Sequence, residues 1–344
     1  MSTPPREFGA LPPHPAPPLV GRDRELATLR EHLAATLAGW GSLVLIGGEA
    51  GIGKTALAEA LCAEARERGA TVLVGRCYDL AETPPYGPWA EALAHAPVDD
   101  ELPVLPAAVL PPEDDGVALA SQDAIVRRVL AYLAALAARQ PLVLLLEDLH
   151  WADPASLDLL RATGRAPAHR PVLLLATYRT DEVVNDHPLA ALLPTLVRES
   201  RAERLDLRPL DAGAIGALVA ARYALADAEQ DRLMRYLAAR TEGNALFLGE
   251  LLRTLEGEGM LRREGGRWVV GDLTAVPVPA LLRQVIGGRL ARLGGETGRL
   301  LALAATVGQE VPLALWAAVA GTDEDGLLDA VERATGARLL VEAA

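Results

Sequence analysis

Leu43-Val44-Leu45-Ile46, followed by Gly48-Glu49-Ala50-Gly51-Ile52-Gly53-Lys54-Thr55, is the stretch that decides the fold. Residues 43–46 are continuously apolar, as a strand buried on both faces is. The next eight residues fit G-x-x-x-x-G-K-[S/T], and a helical pattern begins at Thr55. In that setting the glycines let the backbone wrap a phosphate chain with its N–H groups inward. The helix N-terminus adds positive potential. Lys54 is then expected to reach β- and γ-phosphates, and the Thr55 hydroxyl to bind Mg²⁺. Of the 33 lysines and arginines in the chain, Lys54 is the single lysine. A compact ammonium on a flexible stem suits this task in a way arginine's planar fork does not. The blander alternative is a glycine-rich turn with an incidental lysine.

Further apolar runs lie at 72–74, 142–146 and 172–176, with a weaker, charge-alternating candidate at 203–207. Helical patterns separate them, which predicts an α/β fold with a five-stranded parallel sheet. The run 142–146 ends in Glu147-Asp148. We expect this strand to neighbour the phosphate-loop strand. Its first acid would then hold the Mg²⁺ shell, and its second would orient or deprotonate an attacking water. Which carboxylate touches the metal shell stays open, because the first is glutamate where aspartate is usual. The fourth strand ends in Thr177-Tyr178-Arg179. Ligands bind at such strand C-termini in open α/β sheets, so Arg179 is a candidate reader of the γ-phosphate. A surface arginine beside Asp181 and Glu182 is the alternative.

The rest of the chain sets the organisation. Residues 1–18 hold seven prolines and read as an extended tail. Asp23 is expected to cap a helix carrying Leu26, Leu29, Leu33 and Leu37. Residues 98–116 are Pro-rich and acidic, a surface excursion. Residues 211–261 are helical in pattern, with Leu233, Leu237, Phe247, Leu251 and Leu255 as core candidates. Residues 263–272 suggest a hairpin around a Gly-Gly pair. From Pro279 come three or four helices, and the apolar run 339–341 reads as one strand. The predicted division is 1–18, a nucleotide-binding core 19–210, a helical lid with hairpin 211–275, and a final unit 276–344.

Composition narrows the function. Of 344 residues 51% are apolar, enough for a substantial core, and the net charge is −13. That balance disfavours unaided DNA or RNA binding. Two cysteines exclude a disulfide framework and point to a reducing compartment, so a cytoplasmic location is expected. No run approaches the roughly 18 apolar residues of a membrane span. His150 reads as a lone histidine without ligand duty. Trp151 and Asp153 read equally as loop braces or as nucleotide couplers, and residues 85–89 as packing.

Val20-Gly21-Arg22-Asp23-Arg24-Glu25-Leu26, the phosphate loop, Gly75-Arg76-Cys77-Tyr78, Pro85-Tyr86-Gly87-Pro88-Trp89, Glu147-Asp148-Leu149-His150-Trp151-Ala152-Asp153 and Thr241-Glu242-Gly243-Asn244-Ala245-Leu246-Phe247 occur in that order. The set resembles STAND-type P-loop ATPases of the AAA-related superfamily, modules found in large LuxR-type bacterial regulators and related signalling proteins. The resemblance implies a P-loop NTPase core, a helical lid and a winged helix, with ATP or ADP and Mg²⁺ as ligands. It places Val20, Gly21 and Arg22 against adenine and makes Arg179 a phosphate sensor. The loop residues Gly48, Ala50, Gly51, Ile52, Gly53, Lys54, Thr55 and Ala56 would hold the phosphates. The lid would touch the nucleotide at Gly243-Asn244-Ala245, where Ala245 replaces the family's proline. The winged helix lacks a second wing strand to pair with 339–341, which suggests a partial unit, with sensor and output domains missing from this chain.

These readings together predict an ATP/ADP switch with slow Mg²⁺-assisted hydrolysis. Lys54, Glu147, Asp148 and Arg179 are its candidate catalytic residues, and Thr55, Glu147 and Asp148 its candidate metal ligands. Self-association in the ATP state is expected. The runner-up is an interaction module that holds ADP without turnover. A DNA-binding regulator and a small-molecule kinase are weaker alternatives.

Overall fold

The structure is a computed structural model that describes residues 19–79, 84–97, 102–106, 109, 121–165, 170–184, 186–274, 276–308, 310–337 and 339–340. The expected tail 1–18 and most of the expected excursion 98–116 lie outside these residues. Five parallel strands form the main sheet: β1 (Ser42–Gly48), β2 (Thr71–Arg76), β3 (Leu142–Glu147), β4 (Val172–Arg179) and β5 (Glu203–Asp206), in the order β2-β3-β4-β1-β5. All five predicted runs are therefore strands.

One expectation about adjacency is corrected. β3 pairs with β2 and β4, and β4 pairs with β1, so the acid-tipped strand lies one strand removed from the phosphate loop. The order of strands in a parallel sheet is set by which crossover helices cover which face, and apolar runs alone do not encode it. The intervening β4 delivers Arg179 between the loop and the acids.

Strand alternation divides the core into two layers. Leu43, Leu45, Leu142, Leu144, Leu146, Leu174 and Ala176 face one side. There they pack on α3 (Gly87–Ala94), α4 (Gln122–Arg139), α5 (Pro154–Gly164) and α6 (Pro188–Glu199), through residues such as Trp89, Val129, Leu160 and Leu189. Val44, Ile46, Val143, Leu145, Leu173 and Leu175 face the other side. They meet α1 (Asp23–Leu37) and α2 (Lys54–Glu67) through Leu29, Leu33, Leu57 and Leu61. Burial on both faces is why these runs show no polar alternation. Asp23 opens α1 rather than capping it: the cap position is Arg22, and no side chain accepts a bond there. The Asp23 carboxylate instead sits in the first turn, where the helix dipole favours it.

The close approach of α3 to β2 depends on Gly75, where an added Cβ would lie 1.7 Å from the Pro88 carbonyl oxygen. Gly75→Ala must push a helix away from a strand, and overpacking of this kind costs about 1–3 kcal/mol. A thermal unfolding midpoint several degrees below that of the parent chain is the expected result.

A second cluster follows the sheet. It contains α7 (Ala212–Arg222), α8 (Asp227–Thr241), α9 (Ala245–Gly257) and a hairpin of β6 (Leu261–Glu264) and β7 (Arg267–Val270) around Gly265-Gly266, as predicted. Leu233, Leu237, Leu251 and Leu255 are buried in it. Phe247 is only partly buried; Leu248 and Leu252 take the core positions on α9. Asn244 caps α9 and thereby fixes its phase, turning 247 off the core face.

The third cluster packs α10 (Ala280–Arg292), α11 (Gly295–Val307), α12 (Leu313–Ala320) and α13 (Glu324–Gly336) around Leu300, Trp316 and Leu327. Among its described residues there is no strand. Leu339 and Leu340, expected as strand, instead fold back on α13, with the Leu339 N–H on the Ala334 carbonyl at 2.8 Å. Two apolar side chains with an uncovered helix beside them gain more by packing there than by standing as an unpaired strand. Val341 lies outside the described residues.

Candidate functional site

The C-terminal ends of β1, β3 and β4 converge on a cleft of about 450 Å³ closed on its far side by α7 and α9. Its floor is the loop between β1 and α2. Gly51 and Gly53 have φ of +76° and +106°, left-handed values that glycine adopts without steric cost. Gly53 is also the residue from which α2 springs, so the unpaired N–H groups of the first helical turn face the cleft. Thr55 and Ala56 are exposed at this mouth. Lys54 is buried, and its ammonium donates to the Gly48 and Glu49 carbonyls at 2.8 and 2.7 Å.

Burial pulls the Lys54 pKa down to about 8; Asp148 works against this and Arg179 adds to it. Only the protonated ammonium attracts phosphate, which fixes the sign of a pH effect. Phosphate binding should be strong below about pH 8 and weaken as pH rises through it. Above pH 8 binding should take up a proton, because the phosphates restore the ammonium. In the unliganded chain the unfolded lysine, near 10.5, keeps a proton that the folded one releases. This group therefore makes folded stability rise with pH between those two values. Calorimetric titrations at pH 7 and 9, in buffers of different ionisation enthalpy, check the uptake.

Asp148 lines the cleft and Glu147 does not. Glu147 is 2% exposed and pairs with Arg76 Nε at 2.7 Å, across the β2–β3 register that sets those residues side by side. The strand's alternation thus sends the first acid to a structural ion pair, correcting its expected place beside the phosphates. Asp148 leaves the strand with φ +57°. That left-handed turn is tolerated by aspartate and is held by its N–H on Thr177 Oγ1 at 3.0 Å. Burial raises the Asp148 pKa above the usual carboxylate value, with Arg179 and Lys54 opposing. Arg179 lines the same cleft, paired with Glu182 at 2.5 Å and lying 4.8 Å over the Trp151 ring.

At the opposite end the lining turns apolar, with Leu19, Val20, Leu210, Leu218 and Leu252. Arg22 is buried, and its guanidinium donates to the Ile52 carbonyl at 2.9 Å. It braces the loop, while Val20 supplies the apolar surface. Gly21 packs its backbone against Ala214 of α7. The lid is tied to the floor by Asn244 Nδ2 on the Ala50 carbonyl at 3.0 Å and by the Leu246 N–H on the Gly51 carbonyl at 2.9 Å. Ala245 lines the cleft beside these bonds. A site apolar at one end and cationic, with N–H donors, at the other suits an aromatic base carrying phosphates.

Of the residues expected from the sequence, the structure brings Lys54, Thr55, Asp148, Arg179 and Val20 to one cleft. Arg222 and Arg253, which the sequence does not single out, rim the same cleft from α7 and α9. Arginines spaced along α7 and α9 look like solvated faces until the packing of those helices is known. Asp153 resolves as a brace: its carboxylate caps α5, accepting from Ser156 N–H at 2.9 Å. Trp89 is fully buried and donates to the Ser156 carbonyl, which confirms packing for that segment. No group of three or more His, Cys, Asp or Glu able to hold a metal occurs among the described residues. A cation here would therefore rest on Thr55, Asp148 and the ligand's own phosphate oxygens. That donor set fits Mg²⁺, which is commonly bound by one or two protein oxygens plus phosphates. No described helix is long and apolar enough to cross a membrane.

Comparison with known proteins agrees with this geometry. Residues 18–175 match the AAA ATPase domain family. An uncharacterized Rhizobium meliloti protein is 33% identical over 56% of this chain and 21% of its own length, so the chain spans about a fifth of that relative. The Aeropyrum pernix Orc1 protein, solved in complex with DNA, superposes with a TM-score of 0.50 at 22% identity, covering 94% of this chain and 85% of that one. Cdc6p from Pyrobaculum aerophilum gives a TM-score of 0.50 at 16% identity, covering 72% and 65%. These two likenesses concern the fold.

Proposed function

We propose, from the match of residues 18–175 to the AAA ATPase domain family, that the chain is an ATP/ADP-dependent switch of the STAND type with slow Mg²⁺-assisted hydrolysis. The observation that carries the reading is the direct bonding of the lid to the phosphate loop through Asn244 and Leu246. A loop that rearranges on binding phosphate must move the segment bonded to it. A nucleotide can shift that equilibrium only through contacts that differ between the two arrangements.

In this reading Lys54 and the N–H groups of 51–55 hold the β- and γ-phosphates, and Val20 with Leu218 and Leu252 covers the adenine. Thr55 and Asp148 would hold Mg²⁺, which when bound neutralises phosphate charge. Asp148 orients the attacking water and Arg179 senses the γ-phosphate. The core 19–210, the lid 211–275 and the final winged-helix-like unit 276–344 are the moving parts. Output and sensor functions, self-association in the ATP state and a cytoplasmic location belong to the same proposal. The acidic charge argues against direct DNA binding by this chain.

Hydrogen exchange in saturating ADP and in saturating non-hydrolysable ATP analogue tests the switch. Different protection across α7–α13 is expected. Identical protection with both ligands bound would overturn it.

A second reading has its own observation. With Glu147 committed to Arg76, Asp148 is the one carboxylate lining the cleft among the described residues, a sparse set for hydrolysis. An ADP-holding interaction module would look the same. Phosphate release that is indifferent to Asp148→Asn, with nucleotide still bound, selects it.

A further inference from the structure

His150 is solitary in the sequence, yet its surroundings are unlike those of a packing histidine. Its side chain is 0% exposed, and neither ring nitrogen has a hydrogen-bond partner among the described residues. A buried polar group left unpaired calls for a reason, because an apolar side chain of similar size would fill the space at lower cost. The ring is nevertheless held firmly. It tilts against Trp151 with centroids 4.5 Å apart, and the His150 carbonyl accepts from His187 Nε2 at 2.8 Å.

Two carboxylates flank it. Nδ1 lies 3.9 Å from Asp148 Oδ1 and Nε2 lies 3.6 Å from Glu182 Oε2, each a small rotation short of a hydrogen bond. The two differ in how well they are already served. Glu182 holds Arg179 at 2.5 Å and Arg292 of α10 at 3.2 Å. The Asp148 carboxylate accepts no hydrogen bond among the described residues. A neutral imidazole has one N–H to give, and Asp148, with its side chain 32% exposed, is the flanking carboxylate that no protein donor already holds among the described residues. The left-handed turn at Asp148 and the tight turn 149–151 bring residue 150 back beside residue 148.

We propose that His150 is a positioning residue for Asp148: its Nδ1–H fixes the carboxylate in the orientation that holds the attacking water. The inference rests on the hydrolytic reading above and adds a named residue to it. Asp148 need not be moved far; a carboxylate free to rotate is aligned only part of the time, and a donor on one oxygen removes that loss.

The experiment measures single-turnover ATP hydrolysis and ATP and ADP dissociation constants for the full chain. The variants are His150→Ala, His150→Asn, His150→Gln, Asp148→Asn and His150→Ala/Asp148→Asn. Asparagine places an amide N–H near the position of Nδ1, and glutamine places one near Nε2. We expect His150→Ala to slow hydrolysis about tenfold or more with both dissociation constants within about twofold. His150→Asn should recover most of the rate and His150→Gln should not, and the double variant should be no slower than Asp148→Asn.

The proposal is overturned if His150→Ala hydrolyses at the parent rate, if asparagine and glutamine behave alike, or if all three His150 variants lose nucleotide binding, which would make the residue structural. Asp148→Asn separates the two layers. If it silences hydrolysis and His150→Ala does not, positioning alone fails. If the parent chain shows no Asp148-dependent hydrolysis, the hydrolytic reading fails and takes this inference with it.

Discussion

Lys54→Ala is expected to weaken ATP and ADP binding about a hundredfold while leaving the fold intact. The ammonium is buried at the floor of the cleft and holds the Gly48 and Glu49 carbonyls. A bound phosphate replaces those carbonyls as its partner. Hydrogen bonds to charged groups contribute about 1.5–3 kcal/mol each, and about 2.7 kcal/mol corresponds to a hundredfold change in affinity. The unfolding midpoint without nucleotide should move little, because removal of a buried cation offsets the loss of its two bonds. Titration calorimetry reads the affinity and a thermal melt reads the fold. A variant that folds and binds ATP as the parent does would remove Lys54 from the site.

Asp148→Asn is expected to lower ATP hydrolysis by about two to four orders of magnitude with metal-free nucleotide affinity nearly unchanged, the range for loss of a general base or its equivalent. The substitution keeps the shape and removes the charge. Asparagine also tolerates the left-handed backbone at φ +57°, so the turn that aims residue 148 survives. Glu147→Gln is the informative contrast. It takes the charge from the buried Glu147 side of a pair whose Arg76 partner is half exposed and also lies 3.8 Å from Glu59, so its main effect should be a modest one on stability. Opposite outcomes for the two acids, with Glu147→Gln silencing hydrolysis and Asp148→Asn sparing it, would reverse their assignment.

Much of this was legible in the residues. The loop 48–55 fixed a strand, a turn and a helix at once, since its glycines, lysine and threonine serve one geometry. Continuous apolar runs marked the strands, because burial on both faces leaves no room for polar alternation. Strand order was not legible: nothing in the run 142–146 says that β4 will stand between it and β1. Nor was the fate of Glu147, whose partner Arg76 lies 71 residues away and meets it only through register. His150 looks solitary in the sequence for the same reason. Its neighbour Glu182 arrives from the loop after β4, and its isolation in sequence says nothing of enclosure in space. The two departures on helices, Phe247 and residues 339–340, come from cap phase and from an available helix face, both settled by packing.

Equilibrium titration of the purified chain with ATP in Mg²⁺ tests the central claim most directly. We predict saturable one-to-one binding that is displaced by ADP and nearly lost in Lys54→Ala. No saturable binding at millimolar ATP, or equal binding by the parent chain and Lys54→Ala, would contradict it.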